Sequence, residues 1–264
     1  MAKNQPESKK TARAKAAAAR QEQLAKEKRK ERTTRIIIGV VAAVIVVVII
    51  GGAALYANSN SSSSSNVGPD AGHALPKTVN SETYAVPFKP DAKSDLPLVQ
   101  VWLDPQCPGC KQFSTGGSET ALKAAAEANK INLEFRPTTF LDASLGNDSS
   151  AQAVSAWGCA IDQGKGNQFL DTMFANQPQE GRGYTTDNFI SFGTTAGITG
   201  DAATTFNQCV TNGTYLGWAA NSTQKYNEEG VPGTPTIYVN GKELSLQGVT
   251  PANLVEKVLE AAKQ

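Results

Sequence analysis

Two cysteines three residues apart, Cys107 and Cys110, stand in the segment QCPGC, between an apolar, β-prone run and a stretch able to form a helix. A thiolate is both a nucleophile and a metal ligand, so such a pair has two chemistries open to it, thiol–disulfide exchange and metal binding. With Cys107 as the capping residue of a helix, its sulfur would face the free backbone N–H groups of the first turn, and Cys110 would lie one turn on. Helical neighbours three apart have Cβ atoms about 5–6 Å apart, so local adjustment brings them into disulfide geometry. The same N–H groups and the positive end of the helix lower the first thiol's pKa from its free value of about 8.5. A stabilised thiolate leaves easily, so a disulfide made from it is readily attacked and passed on. Proline at 108 suits the first turn, where its missing N–H costs little.

The metal alternative is poorly supplied. Four-coordinate zinc needs two further ligands at matched spacing. Cys159 and Cys209 stand alone, and the only histidine, His73, is distant in the chain and reads as a surface residue. No metal and no cofactor are expected. Four cysteines allow three pairings; a local 107–110 pair leaves Cys159 with Cys209 as a structural disulfide. The chain-entropy estimate for closing a loop of about 50 residues is roughly 4 kcal/mol. Two buried free thiols are the alternative there, and an inert disulfide is the alternative at 107–110.

Residues 98–103 (LVQVWL) read as a buried strand ended by Asp104-Pro105, and 111–130 as a helix weakened by Gly116 and Gly117. Residues 131–135 (INLEF) read as a second strand, stopped by Pro137. Residues 149–230 carry helical patterns without a clear strand. A strand at 235–239, an Asn240-Gly241 hairpin turn, a short return strand and a last helix opened by Thr250-Pro251 complete the order. This is an α/β pattern with a helical block inserted before its final hairpin.

The charge is segregated. Residues 1–35 carry twelve Lys/Arg against four Asp/Glu, and the remainder thirteen against twenty. Residues 36–57 contain no charged residue and are dominated by Ile, Val and Ala, long enough to cross a bilayer as one helix. The basic flank puts 1–35 in the cytoplasm and everything after the span outside, an expected single-pass cell-membrane protein. A cleaved signal peptide is the rival reading, opposed by the length of the leader. No aromatic residue interleaves the basic leader, so nucleic acid is not an expected partner. Residues 58–90, serine-rich and then proline-rich, read as a flexible tether to a folded part at 91–264.

The segments LVQVWLDPQCPGC and EGVPGTPTIYVNGKEL, with the long helical block between them, resemble the DsbA-like branch of the thioredoxin superfamily, particularly its membrane-anchored exported members, over approximately residues 80–264. The resemblance implies a thioredoxin-like fold with an inserted helical domain at about 149–230, and a thiol–disulfide oxidoreductase acting on exported, reduced or unfolded proteins. It implies that Cys107 and Cys110 are the redox pair and that Pro235 forms a cis-proline loop facing them, which keeps metal ions off the sulfurs. The backbone at Thr234 would then pair with substrate in a strand-like manner, with Pro108 and Gly109 on the same substrate-facing surface. A membrane partner would reoxidise the pair. Two departures stand out. Gly109 occupies a position where strong oxidants of the family commonly carry histidine, which implies a weaker oxidant. Val101 stands where related proteins often keep a buried acid, and Glu134 on the next strand reads as an ordinary exposed glutamate. An isomerase or reductase, or a non-catalytic peptide-binding ectodomain, remain the alternative functions.

Overall fold

The computed structural model describes residues 74–264 apart from 92 and 94. The basic leader, the span at 36–57, the serine-rich part of the tether and His73 lie outside the described residues. Among the described residues no helix is long and apolar enough to cross a membrane.

The sheet has five strands: β1 (Val86–Pro87), β2 (Leu98–Leu103), β3 (Asn132–Pro137), β4 (Thr236–Val239) and β5 (Lys242–Glu243). Their order is β1-β3-β2-β4-β5. β2 runs parallel to β3 with Val101 opposite Phe135, and antiparallel to β4 with Trp102 opposite Thr236. A parallel pair needs a crossover. Helices α1 (Pro108–Thr115) and α2 (Ser118–Glu127) supply it, separated where Gly117 takes a φ of 96°. The two glycines thus break the helix rather than kink it. Between β3 and β4 run α3 (Phe140–Leu145), α4 (Ser149–Asp162), α5 (Gly166–Ala175), α6 (Thr186–Thr195), α7 (Asp201–Thr211) and α8 (Leu216–Glu228). The last helix, α9 (Leu254–Ala261), begins after a turn at 251–253, with Asn253 rather than Thr250 in the capping place.

β2 alternates as the pleat requires. Val99, Val101 and Leu103 are buried in the main core with Phe113, Leu122 and Phe135, whereas Trp102 belongs to a second cluster with Tyr226 and Val231. Arg136 at the end of β3 is also buried. Its guanidinium stacks 4.0 Å from the Trp102 ring and grips Glu229 through two bonds of 2.6 and 2.8 Å. A planar fork paired to a carboxylate is the arrangement in which a buried arginine is tolerated. It ties the end of α8 to the sheet just before the chain enters 230–235.

The tether reading is corrected at its end. Val86 and Pro87 pair with Phe135 and Glu134 as an edge strand, and Ala85 and Val86 are buried, so the folded part starts before residue 90. A two-residue strand among prolines has no periodicity to reveal it; its partner lies almost fifty residues on. At the other edge Asn240 and Gly241 join β4 to β5 with φ of 49° and 80°, positive at both central turn positions. Cys159 on α4 and Cys209 on α7 form a disulfide across 50 positions.

Candidate functional site

The antiparallel pairing of β2 with β4 brings the C-terminal end of one beside the N-terminal end of the other. Residues just after β2 and just before β4 therefore meet. Asp104 to Cys110 follow β2, and Gly233 to Pro235 precede β4. The Thr234-Pro235 peptide bond is cis, and the Thr236 hydroxyl pins the turn by donating to the Gly233 carbonyl at 2.8 Å.

Cys107 is the N-cap of α1, extended at φ −72° and ψ 120°, and Pro108 occupies the first helical position. Its thiol donates to the Thr234 carbonyl at 3.2 Å. Both cysteines are free thiols and buried, Cys110 completely and Cys107 with 8% exposure. Their acidities are driven apart. A hydrogen bond from Cys110, with the backbone N–H groups of Cys110 and Gly109, outweighs burial and holds the Cys107 thiol down at about 6. Burial, then the hydrogen bond and charge of Cys107, push the Cys110 thiol well up. At pH 7 a thiol with a pKa near 6 is about nine-tenths thiolate, whereas an unperturbed one is only a few per cent ionised. At neutral pH the pair thus favours an ionised, barely exposed Cys107 sulfur over a protonated, fully buried Cys110.

Gly109 sits directly against the cis-proline loop. A Cβ built there would lie 3.1 Å from Pro235 Cδ and 3.5 Å from Cys107 Sγ. Gly109→Ala is expected to force the loop outward and to destabilise the protein by about 1 kcal/mol through overpacking. It should slow exchange with a protein thiol, which must dock beside Pro235, more than with a small thiol. Stopped-flow rates for the two thiol classes check this, and an equal slowing of both would contradict it.

All the residues singled out from the sequence at this site come together: Cys107, Pro108, Gly109 and Cys110 on one side, Thr234 and Pro235 on the other. Cys159 and Cys209 lie apart, in the helical block. Val101 is fully buried on β2, and Glu134 accepts from Gln100 Nε2 at 2.9 Å, away from the cysteines. The acid buried beside the pair is instead Asp104, which the sequence marks only as the end of a strand. Its carboxylate is inaccessible, and burial raises it to about 7 against the opposing bonds of Ser150, Gln106 and Leu141. Ser150 Oγ donates at 2.6 Å, Gln106 N–H at 2.8 Å and Leu141 N–H at 3.1 Å. Gln106 extends the network by donating to Asp142 and Asn147 at 2.8 and 2.9 Å. Strand end and helical block are thus joined by buried and half-buried polar groups that satisfy one another. Among the described residues no cluster of three or more His, Cys, Asp or Glu side chains is placed to hold a metal ion.

A helix capped by the first of two cysteines three apart, facing a cis-proline from the next antiparallel strand, defines a thioredoxin-type architecture. The chain belongs to the thioredoxin family, whose model matches residues 89–258. Among curated protein sequences none matches it. Its solved structural neighbours include the MdbA thiol–disulfide oxidoreductase of Actinomyces oris, with 20% identity and a TM-score of 0.58 over 70% of this chain and 88% of that one. The MdbA thiol–disulfide oxidoreductase of Corynebacterium diphtheriae has 18% identity and a TM-score of 0.54, over 70% and 95%. DsbA of Mycobacterium tuberculosis in its reduced form has 23% identity and a TM-score of 0.53, over 65% and 90%. At these identities the likeness is one of fold, a mixed α/β thioredoxin-like fold of the DsbA and MdbA type.

Proposed function

We propose that this protein is a thiol–disulfide oxidoreductase that oxidises dithiols of exported proteins through a Cys107–Cys110 disulfide. The observation that carries the reading is the placement of Cys107 at the N-cap of α1 against the Thr234 carbonyl, with Cys110 fully buried one turn on; it holds the Cys107 thiol down at about 6 and pushes Cys110 well up. A substrate thiolate attacks Cys107 Sγ of the oxidised pair, the Cys107–Cys110 bond breaks, and Cys110 leaves with the electron pair and takes a proton. A second substrate thiolate then attacks the substrate sulfur of the mixed disulfide. Cys107 leaves as the stabilised thiolate. Two electrons have passed to the protein, and the substrate carries a new disulfide. Stabilising the departing thiolate favours the reduced protein, and so favours oxidation of the substrate.

The names of the two MdbA neighbours support the reaction class. Thr234, whose carbonyl faces Cys107, is the edge on which an extended substrate backbone would pair, with Pro108, Gly109 and Pro235 around it. The charge-free stretch at 36–57, flanked by the basic residues of 1–35, supports a single membrane anchor with the catalytic part outside the cell membrane. A tether ahead of the folded part would raise its effective concentration near a membrane oxidant that restores the disulfide.

The test uses the full-length protein, oxidised and then mixed with a reduced, unfolded polypeptide. Expected is loss of substrate thiols in proportion to protein added, and repeated turnover once glutathione disulfide is supplied. Substrate thiols that persist while the polypeptide remains bound would overturn the reading in favour of a non-catalytic binding module.

A further inference from the structure

Two side chains from the helical block reach the backbone on either side of Cys107. Gln177, just beyond the end of α5, is buried, and its Nε2 donates to the Pro105 carbonyl at 2.7 Å and to the Cys107 carbonyl at 2.9 Å. Tyr184, also buried, donates its hydroxyl to the same Pro105 carbonyl at 2.9 Å. Burial, Asp104 and Cys110 push the Tyr184 phenol up, so it stays a protonated donor. The contact is returned from α1: Lys111 Nζ donates to the Gln177 carbonyl at 3.0 Å, while the Lys111 N–H donates to the Cys107 carbonyl at 3.1 Å. Cys107, Lys111 and Gln177 thereby close a ring of hydrogen bonds around the first carbonyl of α1.

The ring matters because of what the sulfur needs. Cys107 Sγ is stabilised first by the Cys110 thiol and then by the backbone N–H groups of Cys110 and Gly109, at the start of α1 where Cys107 is the extended N-cap. No side-chain capping bond holds that conformation, and Pro108 brings no N–H. Anchoring the Pro105 and Cys107 carbonyls fixes the planes of the peptide groups that follow them, and with them the ψ of Cys107. Both N–H groups of the Gln177 amide are spent on this, in a buried place where an unmade bond is costly.

We propose that Gln177 is a positioning residue: by holding the Pro105 and Cys107 carbonyls it aims the Cys107 sulfur at the Gly109 and Cys110 amides, so that the helical block sets the reactivity of the thiol. This rests on the reading of Cys107 as the reactive thiolate. The test measures the rate of Cys107 alkylation by iodoacetamide against pH in the reduced full-length protein, with thermal unfolding of the same samples. Gln177→Met keeps length and bulk but removes both donors. Its alkylation midpoint is expected to rise by about one pH unit, the size one or two lost hydrogen bonds support. Tyr184→Phe leaves the donor on the Cys107 carbonyl and is expected to move the midpoint by less than half as much. Gln177→Asn, with the amide drawn back on a shorter stem, is the second variant should the methionine protein not fold, and is expected to shift in the same direction. Unfolding at lower temperature with an unmoved midpoint would reduce Gln177 to a packing residue and overturn the proposal. An ordinary midpoint in the wild-type protein would instead overturn the reading of Cys107 itself, so the two failures are distinguishable.

Discussion

Replacing Cys110 with serine is expected to turn the protein into a trap that accumulates mixed disulfides with its clients. The Cys107 thiolate would still attack a client disulfide, form a Cys107–client bond and release the other client sulfur as thiolate. Besides attack by a second client thiol, a client escapes by reversal of the first step, in which Cys110, completely buried beneath Cys107, expels it by closing the 107–110 disulfide. A serine oxygen cannot do so. Adducts should therefore be visible on non-reducing gels and vanish with reductant. Cys107→Ser is expected to behave oppositely, with no adducts and exchange slowed by at least about 10³-fold, because the remaining thiol is buried and held protonated. Equal trapping by both variants would contradict the division of labour between the sulfurs.

The second large effect concerns Asp104. Burial raises its carboxyl from the ordinary 3.8 to about 7 in the folded protein. Between those values the folded state keeps a proton that the unfolded chain has released, so stability falls as pH rises through this window and levels off above it. The full loss is of the order of 4 kcal/mol. Asp142, also raised by burial, adds in the same sense. In the reduced protein Cys107 acts in the opposite direction: its folded value near 6 lies below the ordinary 9.0, so its stabilisation grows as pH rises between them. Chemical denaturation of the oxidised protein removes that contribution and isolates the carboxyls. Asp104→Asn is expected to flatten most of the slope between pH 4 and 7. The substitution also sets an amide against the Leu141 N–H, so absolute stability should drop and only the slope is diagnostic. A slope as steep as wild type would show that Asp104 ionises freely in the fold.

Local chemistry made the centre of this site legible. The strand, the Asp-Pro stop, the cysteine spacing and Pro108 all act within a dozen residues, and each element preference agrees with the next. Asn240-Gly241 announced its turn for the same reason, and the helical segments before β4 carried their own apolar spacing. What escaped the sequence is held by distant partners. Asp104 is an unremarkable strand terminator until Ser150 and Leu141, 46 and 37 positions on, bury and bond it. Gln177 and Tyr184 meet Pro105 from 72 and 79 positions away, with nothing in their neighbourhoods to mark them. Pro87 and Pro90 make the β1 segment look like loose chain; proline is nonetheless compatible with an edge strand, where no ladder donor is required. Only the resemblance points to a cis bond at Pro235, since a Thr-Pro pair alone favours the trans bond.

Cys107 is ionised at neutral pH because the Cys110 thiol and the start of α1 stabilise its charge. Ultraviolet thiolate absorbance of the reduced full-length protein, followed against pH with Cys107→Ser as the blank, reads that charge. A single transition near 6 is expected, absent from the variant, with Cys110 still protonated well beyond it. A transition near the ordinary 9.0 of a free thiol would contradict it.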